Sequence, residues 1–470
     1  MNKTLKQLYH KSSDFIQSIG TAVYSWFKKP VLKNPVFLKW YHFLQESQWW
    51  SKKQLEEYQM EQLTELLNHA YKNVPYYRRV FGERGLKPKD FRGFDDLKKI
   101  PILTKDDIRK NLNELVARNI SKEDIEYVTT GGTTGKPLSL YVEKKTNLIR
   151  MAFEWREWNW MGYEFGDKCV VLRGNVVERK EKGKPAWWEY DKENNYLILS
   201  TYDMTDENLP KYVRKIEEFK PKIIRGYPSA LDILARFIKE NNFKINRLGD
   251  IKAISTSSEN LYPAQRELIE GVFRCPIFDK YGNCEQVTIL GECENHEGYH
   301  DFMEYSYTEI LDKEGNPVTK EGQIGEIVST GFTNYVVPFI RYKTEDLVSY
   351  TAHKCSCGRS HPLVKKIEGR WQQEMIVARD GNLISMTALN THSDVFDNVK
   401  QFQFYQDTPG RVTLKIIKKD TYTEKDTKYI IQELQKKMKY QIDIKIEFIN
   451  NIPLTKRGKY TFLIQKLPIH

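Results

Sequence analysis

Nine consecutive residues, Thr129-Thr130-Gly131-Gly132-Thr133-Thr134-Gly135-Lys136-Pro137, bring together three glycines, four threonines and a lysine. Glycines let backbone N–H groups turn onto a phosphate, threonines add hydroxyl donors, and the lysine adds a mobile cation. The flanks 125–128 and 138–142 read as strands, which sets the loop in a hairpin. That is not the strand–loop–helix of a nucleotide P-loop, and the GxxxxGK[ST] spacing is absent. Taken alone, the stretch reads either as an anion cradle or as a plain turn.

Other chemically able groups follow. Tyr281-Gly282-Asn283-Cys284-Glu285 sets an aromatic ring that can stack on a base beside a carboxylate that can hold Mg²⁺ against phosphates. Asp346, in Arg341-Tyr342-Lys343-Thr344-Glu345-Asp346, suits a ribose diol. Lys459 follows a glycine near the C-terminus. Cys293, His296, His300, Cys355 and Cys357 offer more than the four N/S ligands that tetrahedral zinc needs. We take Cys293, His300, Cys355 and Cys357 as the set, with His296 in place of His300 as the alternative; a pair of free thiols on a loop is the bland reading. Cys169 and Cys275 lie in apolar strand contexts and read as core.

These groups need a scaffold. Helical periodicity over 54–72, 146–161, 209–219, 228–241 and 263–272 alternates with strand-like runs at 168–172, 222–225, 251–255 and 276–280. That alternation predicts α/β architecture with a largely parallel sheet, whose ligands sit at the carboxyl ends of strands. The ends to watch are Tyr227, Ser257-Ser258-Glu259 and Tyr281–Glu285. Residues 180–190 read as a surface loop. Beyond Tyr305 the texture turns to strands, with candidates at 308–311, 325–330 and 338–342. A tail of about 100 residues reads as a separate α+β unit, strands and turns with helices at 386–393 and 423–438. The organisation expected is an aromatic and basic helical arm at 1–50, a large domain at 51–369 and a small domain at 370–470.

The chain has 470 residues, a net charge of +11 and 40% hydrophobic content. That is a globular composition, and the charge permits anionic partners without choosing one. No apolar run is long enough to span a bilayer, and the N-terminus lacks a signal peptide's pattern, so a cytoplasmic protein is expected. Trp26, Phe27, Trp40, Tyr41, Trp49 and Trp50, interleaved with lysines, fit peripheral contact with a membrane or a helical arm packed on the body.

In this order, the phrases resemble the adenylate-forming superfamily, and most closely its phenylacetate–CoA ligase-like branch with the capsular-polysaccharide ligases. The resemblance runs from about residue 54 to 459 and includes Val74-Pro75-Tyr76-Tyr77-Arg78 and Pro101-Ile102-Leu103-Thr104-Lys105. It implies a large α/β domain with a small mobile lid. Thr130, Gly131, Gly132, Thr133, Thr134 and Lys136 would hold pyrophosphate, and Ser257, Ser258, Glu259, Tyr281, Gly282, Asn283 and Cys284 would line the adenine side. Glu285 would take Mg²⁺, Asp346 the ribose, Arg370 the hinge, and Lys459 the catalytic role. Members of this branch often carry a similar Cys/His set.

The implied cofactors are ATP, Mg²⁺ and structural Zn²⁺, with CoA where the acceptor is a thiol. The implied partners are a small carboxylic acid and an acceptor, either CoA or a sugar-linked amine or hydroxyl. Departures from the pattern are Gly131 for serine, Cys284 for threonine, Glu345 for glycine, and Trp371-Gln372-Gln373 where a hinge acid is usual. They prompt an alternative, a nucleotide binder without catalysis. A basic zinc-containing nucleic-acid binder is disfavoured, because the Cys/His spacing suits no DNA-reading finger and the charge is unclustered.

Overall fold

Apolar β-rich runs such as Cys169-Val170-Val171-Leu172 and Tyr196-Leu197-Ile198-Leu199 are best satisfied inside a sheet covered on both faces, and they form neighbouring strands toward one edge of such a sheet. The structure, a computed structural model, describes residues 31–129, 138–174, 177, 180–181, 184–244, 248–370, 375–389, 393–396, 398–438, 440–455 and 460–467.

Chain order begins with helices α1 (Pro35–Ser47), α2 (Lys52–Asn73), α3 (Pro75–Glu83) and α4 (Lys105–Leu115). Strands β1 (Ile125–Thr129) and β2 (Ser139–Glu143) pair antiparallel, as the hairpin reading requires. Then come α5 (Lys144–Trp160), β3 (Cys169–Arg173), β4 (Trp188–Asp191), β5 (Tyr196–Ser200), α6 (Leu209–Phe219), β6 (Ile223–Gly226) and α7 (Pro228–Glu240). They lead to β7 (Ala253–Ser257), α8 (Pro263–Phe273), β8 (Ile277–Gly282), β9 (Ile289–Glu292) and β10 (Tyr299–Asp301). Four long strands close the main sheet: β11 (Ser306–Leu311), β12 (Ile324–Gly331), β13 (Tyr342–Tyr350) and β14 (Leu363–Arg370).

The order across this twelve-stranded sheet is β11-β12-β13-β14-β10-β9-β8-β7-β6-β3-β5-β4. Only the run β8-β7-β6-β3-β5 is parallel. The sheet is therefore mixed rather than largely parallel: βα crossovers build one half and hairpins build the other. On one face α5 packs with α1 over Cys169, Val171, Ile223, Ala253 and Phe278. On the other, α6, α7 and α8 cover Val170, Leu172, Ile224 and Ile254. At the end of β6 a Cβ on Gly226 would meet Leu231 Cγ at 2.9 Å, so only glycine lets the strand turn this tightly into α7.

The tail carries a hairpin, β15 (Met375–Val377) and β16 (Leu383–Ser385), and a second sheet. That sheet is built from β17 (Val399–Thr408), β18 (Arg411–Lys418), β19 (Asp443–Phe448) and β20 (Leu463–Gln465), in the order β19-β18-β17-β20, with helix Glu424–Lys437. Its core of Phe404, Leu414, Ile416, Ile430 and Leu434 also includes Tyr262 from the large domain. A large α/β region with a small C-terminal α+β domain is thus the architecture.

Several expectations are corrected. Residues 180–190 are not wholly a loop: Trp188–Asp191 forms the edge strand, and Trp187 stacks on Tyr212 at 4.5 Å. The strand expected at 338–342 begins at Tyr342 instead, because its charged residues Lys343, Glu345 and Asp346 mask it in a hydropathy reading. The helix expected at 386–393 is a single turn, Met386–Leu389, followed by a 3-10 turn at Ser393–Phe396. Strands β5, β9, β10, β14, β16 and β20 lie where the sequence reading places none.

Most of the described part of the aromatic N-terminal segment packs inward, Trp49 excepted. Phe37 and Leu44 are fully buried, Tyr41 donates to Asn159 at 2.9 Å, and Ser47 donates to Glu304 at 2.6 Å. Among the described residues, no helix is long and apolar enough to cross a membrane.

Candidate nucleotide site and metal centre

Two tyrosine–carboxylate pairs stand at the strand ends singled out by sequence. Tyr281, at the end of β8, donates its hydroxyl to Asp346 Oδ2 at 2.7 Å. Tyr342, at the start of β13, donates to Glu285 Oε1 at 2.8 Å. Burial and the neighbouring carboxylate both push each phenol well above its ordinary range, so each remains a donor and orients its acid. The Tyr281 hydroxyl is engaged with Asp346, so the tyrosine expected at the base also fixes the acid expected at the ribose. Glu285 is 4% exposed, and its second oxygen carries no hydrogen bond among the described residues. A hard divalent cation is a suitable partner for that oxygen.

Asp346 lies opposite Arg370 in the β13–β14 register, which brings the acid expected at the ribose and the Gly-Arg phrase together. Beside it, Glu345 occupies φ +67°, the left-handed region. This explains why glycine suits the position. Lys105 holds the Glu345 side chain at 2.6 Å and also donates to the Thr344 carbonyl at 3.2 Å.

At the end of β7, Ser257 accepts a hydrogen bond from Arg173, and Ser258 sits at φ +72°. Glu259 then bridges two elements. One oxygen accepts the Ser229 N–H at the start of α7, and the other accepts the Tyr460 N–H from the small domain, both at 3.1 Å. Gly282 leaves open space, Asn283 accepts from the Val287 N–H at 3.0 Å, and Cys284 is exposed. Residues 130–137, and with them Thr130, Gly131, Gly132, Thr133, Thr134 and Lys136, lie outside the described residues, as do Lys459, 371–373 and the side chain of Arg370. The flanks of the loop are in place, in β1 and β2.

The structure gathers the second constellation. The ligand atoms of Cys293, His300, Cys355 and Cys357 all lie within 4.8 Å of one another. Cys293 Sγ is 3.5 Å from Cys355 Sγ, and Cys357 Sγ is 3.5 Å from His300 Nε2. Metal–sulfur bonds of about 2.3 Å give a tetrahedral edge of about 3.8 Å, so the set fits zinc. His296 lies apart, 3.6 Å from Glu292 and edge-on to Phe278. Burial pushes the Cys357 thiol up, but hydrogen bonds with His300 and Arg359 outweigh it and bring the thiol down to about 6. Burial pushes Cys293 above its ordinary range.

Arg359 buttresses this centre. Its N–H meets Cys357 Sγ at 3.5 Å, and its guanidinium forks onto Glu294 at 2.9 Å while lying over Trp160 and Trp49. The cluster lies away from the nucleotide end of the sheet. Gly282 pairs with Ile289, and Cys293 is four residues farther along, roughly 13 Å away. It ties the far ends of β9, β10 and β14 to α1 and α5.

What sequence missed are the two tyrosine donors as positioning groups and a set of half-buried cations beneath α5. The donors' signal is present in Tyr342, which stands four residues before Asp346 in the same phrase.

Comparison with known proteins agrees with this architecture. The family model described as CapK C-terminal domain matches residues 376–466. Protein CapK of Staphylococcus aureus is 28% identical over 422 residues, covering 88% of this chain and 90% of that protein. The phenylacetate-coenzyme A ligase of Pseudomonas putida is 30% identical over 343 residues, covering 70% of this chain and 73% of the ligase. Among solved structures, 2-hydroxyisobutyryl-CoA ligase with R3-HIB-AMP superposes with a TM-score of 0.70 at 18% identity, covering 89% of this chain and 91% of that one. The last likeness is one of fold.

Proposed function

Because the chain belongs to the adenylate-forming superfamily, in the branch of the phenylacetate–CoA ligases, we propose that it activates a small carboxylic acid with ATP and passes the acyl group to an acceptor. The observation that carries the reading is the convergence of the Tyr281–Asp346 and Tyr342–Glu285 pairs on one end of the sheet. Those are an acid for a ribose diol and an acid for a cation, each held by a donor that stays protonated.

In the first step a carboxylate oxygen attacks the α-phosphorus of ATP and pyrophosphate leaves. In the second, the acceptor's thiol, amine or hydroxyl attacks the acyl carbon and AMP leaves. Bound Mg²⁺ would neutralise charge on the phosphates. Asp346 would hold the ribose hydroxyls and Glu285 would offer its free oxygen to the cation. Residues 130–136 would cradle the leaving pyrophosphate through N–H groups and hydroxyls, and Lys459 would stabilise the attacking carboxylate. Most of this catalysis is positioning and electrostatics. The domain division supporting it is an arm at 1–50, an adenylation domain at 51–369 and a lid at 370–470 that turns about Arg370 between steps. Cys293, His300, Cys355 and Cys357 would hold a structural zinc, since four protein ligands leave no open position.

The acceptor is either CoA or a sugar-linked amine or hydroxyl. Pyrophosphate exchange across aryl, alkyl, hydroxy and amino acids tests adenylation, and the same panel with CoA separates the acceptors. Carboxylate-dependent AMP without CoA consumption selects the amine or hydroxyl. No carboxylate-dependent exchange with any acid leaves only a nucleotide-binding role. Asp346→Asn is expected to raise the KM for ATP by about tenfold, the scale of one charge-assisted hydrogen bond.

A further inference from the structure

Beside the nucleotide residues, under α5, lies a group of cations that the reading above does not use. Val171 pairs with Arg225, Arg225 with Ser255, and Ser257 with Lys280. Side chains two residues apart share a face, so Arg173, Arg225 and Lys280 all project from the face of the sheet that α5 covers, at its carboxyl end. From α5 itself come Arg150, Glu154, Glu157 and Trp158.

Arg225 is the most telling member. Its guanidinium lies 3.9 Å over Trp158 and 5.9 Å from Tyr196, and it makes no hydrogen bond or ion pair among the described residues. Among the described residues Arg173 hydrogen-bonds only the hydroxyls of Ser257 and Ser258, and it lies 5.8 Å over Tyr227. Both keep partial exposure, so both line a recess rather than a sealed core. Lys280 and Arg150 share one carboxylate, Glu154, at 3.3 and 2.5 Å, and Lys280 is 3.6 Å from Glu157. Burial works against the Glu154 carboxylate, but Lys280 and Arg150 outweigh it and hold it down to about 2; burial carries Glu157 up to about 7. Four cations therefore face one carboxylate ionised throughout and one that is half-protonated near neutrality.

Leaving guanidinium groups desolvated without an anion is costly, and a group that is anionic and planar satisfies their forked donors best. The location says what brings that anion. Tyr281 ends β8, and Arg225 lies on β6, two strands away, at about 10 Å. Arg173 also donates to Ser257, within the phrase expected on the adenine side, so the recess adjoins the place where the acid would be activated.

We propose that this recess receives a second anionic group on the acid being activated, so that the substrates are short dicarboxylic acids rather than apolar aryl or alkyl acids. Arg225 and Arg173 bind the distal carboxylate, Lys280 and Arg150 set the local potential through Glu154, and the proximal carboxylate is left to attack ATP. This rests on the ligase reading for the chemistry, but not for the binding.

The test uses the full chain and matched probes, glutarate against valerate and adipate against hexanoate. Pyrophosphate exchange gives kcat/KM for each acid, and calorimetry gives binding of each acid without turnover. The expected result is a preference for the diacids of about a hundredfold, as for a site whose buried polar groups an analogue leaves unpaired. Arg225→Met should collapse that ratio by at least about tenfold and Arg225→Lys should restore part of it. If Arg225→Met does not fold, judged by its melting curve, Arg173→Met and Lys280→Met carry the same prediction.

Monoacids exchanging as well as diacids overturn the inference and leave the ligase reading intact. Diacids that bind through Arg225 but support no exchange overturn the ligase reading and leave the anion site intact. No diacid binding, or a loss of ATP affinity in Arg225→Met with an unchanged acid ratio, overturns the inference; the latter assigns the cations to nucleotide phosphate.

Discussion

The carboxylate of Glu259 accepts the backbone N–H of Tyr460 at 3.1 Å, so the end of β7 in the large domain holds the small domain at the residue directly after Lys459. The other oxygen of Glu259 takes the Ser229 N–H at 3.1 Å, which anchors the acid to α7. One side chain thus couples the adenine-side phrase to the segment that carries the proposed catalytic lysine. Aromatic packing of Tyr262 on Phe462, with centroids 5.0 Å apart, supports the same contact.

Glu259→Ala removes both acceptors. Charge-assisted hydrogen bonds contribute roughly 1.5–3 kcal/mol each, so adenylation kcat/KM is expected to fall about tenfold or more, with Glu259→Gln in between. Pyrophosphate exchange measures this. An unchanged exchange rate in Glu259→Ala would show that the docking contact plays no part in the first step.

Glu345 offers a separable test of backbone strain. At φ +67° a non-glycine residue costs about 1 kcal/mol, and the Lys105 bridge, partly shielded, returns part of it. Glu345→Gly loses the bridge and the strain together, and is expected to lie within about 0.5 kcal/mol of the parent. Glu345→Ala loses only the bridge and should be about 1 kcal/mol less stable than the glycine variant. Urea unfolding of the three proteins decides. An alanine variant as stable as the glycine one would remove strain as the cause.

The metal centre predicts about one zinc per chain by elemental analysis. Cys355→Ser or prolonged chelation should lower the melting temperature by several degrees, since about 1 kcal/mol moves a large domain by roughly 2–4 °C. The centre lies far from Tyr281, so the KM for ATP should shift far less than stability does. Loss of metal without loss of stability would contradict a structural role.

Glu157 is fully buried, and burial raises its carboxyl from the ordinary 4.5 to about 7; Lys280 opposes the rise, while the charges of Glu154 and Asp279 add to it. Between those values the folded protein holds a proton that the unfolded chain has released. Its stabilising contribution is complete below 4.5 and is lost as pH rises through 7. Glu154 runs the opposite way: held down to about 2, it loses its contribution as pH falls from 4.5 through 2. Glu157→Gln should therefore spare the protein about 2 kcal/mol of the decline between pH 5 and pH 8. Unfolding free energies at unit pH steps measure it, and parallel profiles for the two proteins would exclude Glu157 as the titrating group.

By itself the sequence determined the order of the helices and most of the parallel strands, the hairpin around the glycine loop and the three cysteines of the Cys/His cluster. These are local matters: apolar period, proline and glycine punctuation, and the limited set of residues able to bind zinc. Thr104 illustrates it, since its hydroxyl caps α4 through Asp107, only three residues away. The alternation of strand and helix also pointed correctly to an α/β domain, although it overstated the parallel sheet, because hairpin strands rich in charge such as Tyr342–Tyr350 carry no apolar run to reveal them.

Tertiary structure alone decided which distant groups meet. Whether His296 or His300 joins the cysteines depended on β10 placing His300 opposite Gly291 and Leu363, a register that no spacing reveals. Tyr281 and Asp346 are separated by 65 positions, and Tyr342 and Glu285 by 57, yet each pair is one hydrogen bond. Arg173, Arg225 and Lys280 stand on three strands and read singly as ordinary polar residues. Only when strand pairing puts them on one face beneath α5 does their charge become a recess that calls for an anion, because desolvation, which depends on the surrounding packing, sets the cost of leaving them unpaired.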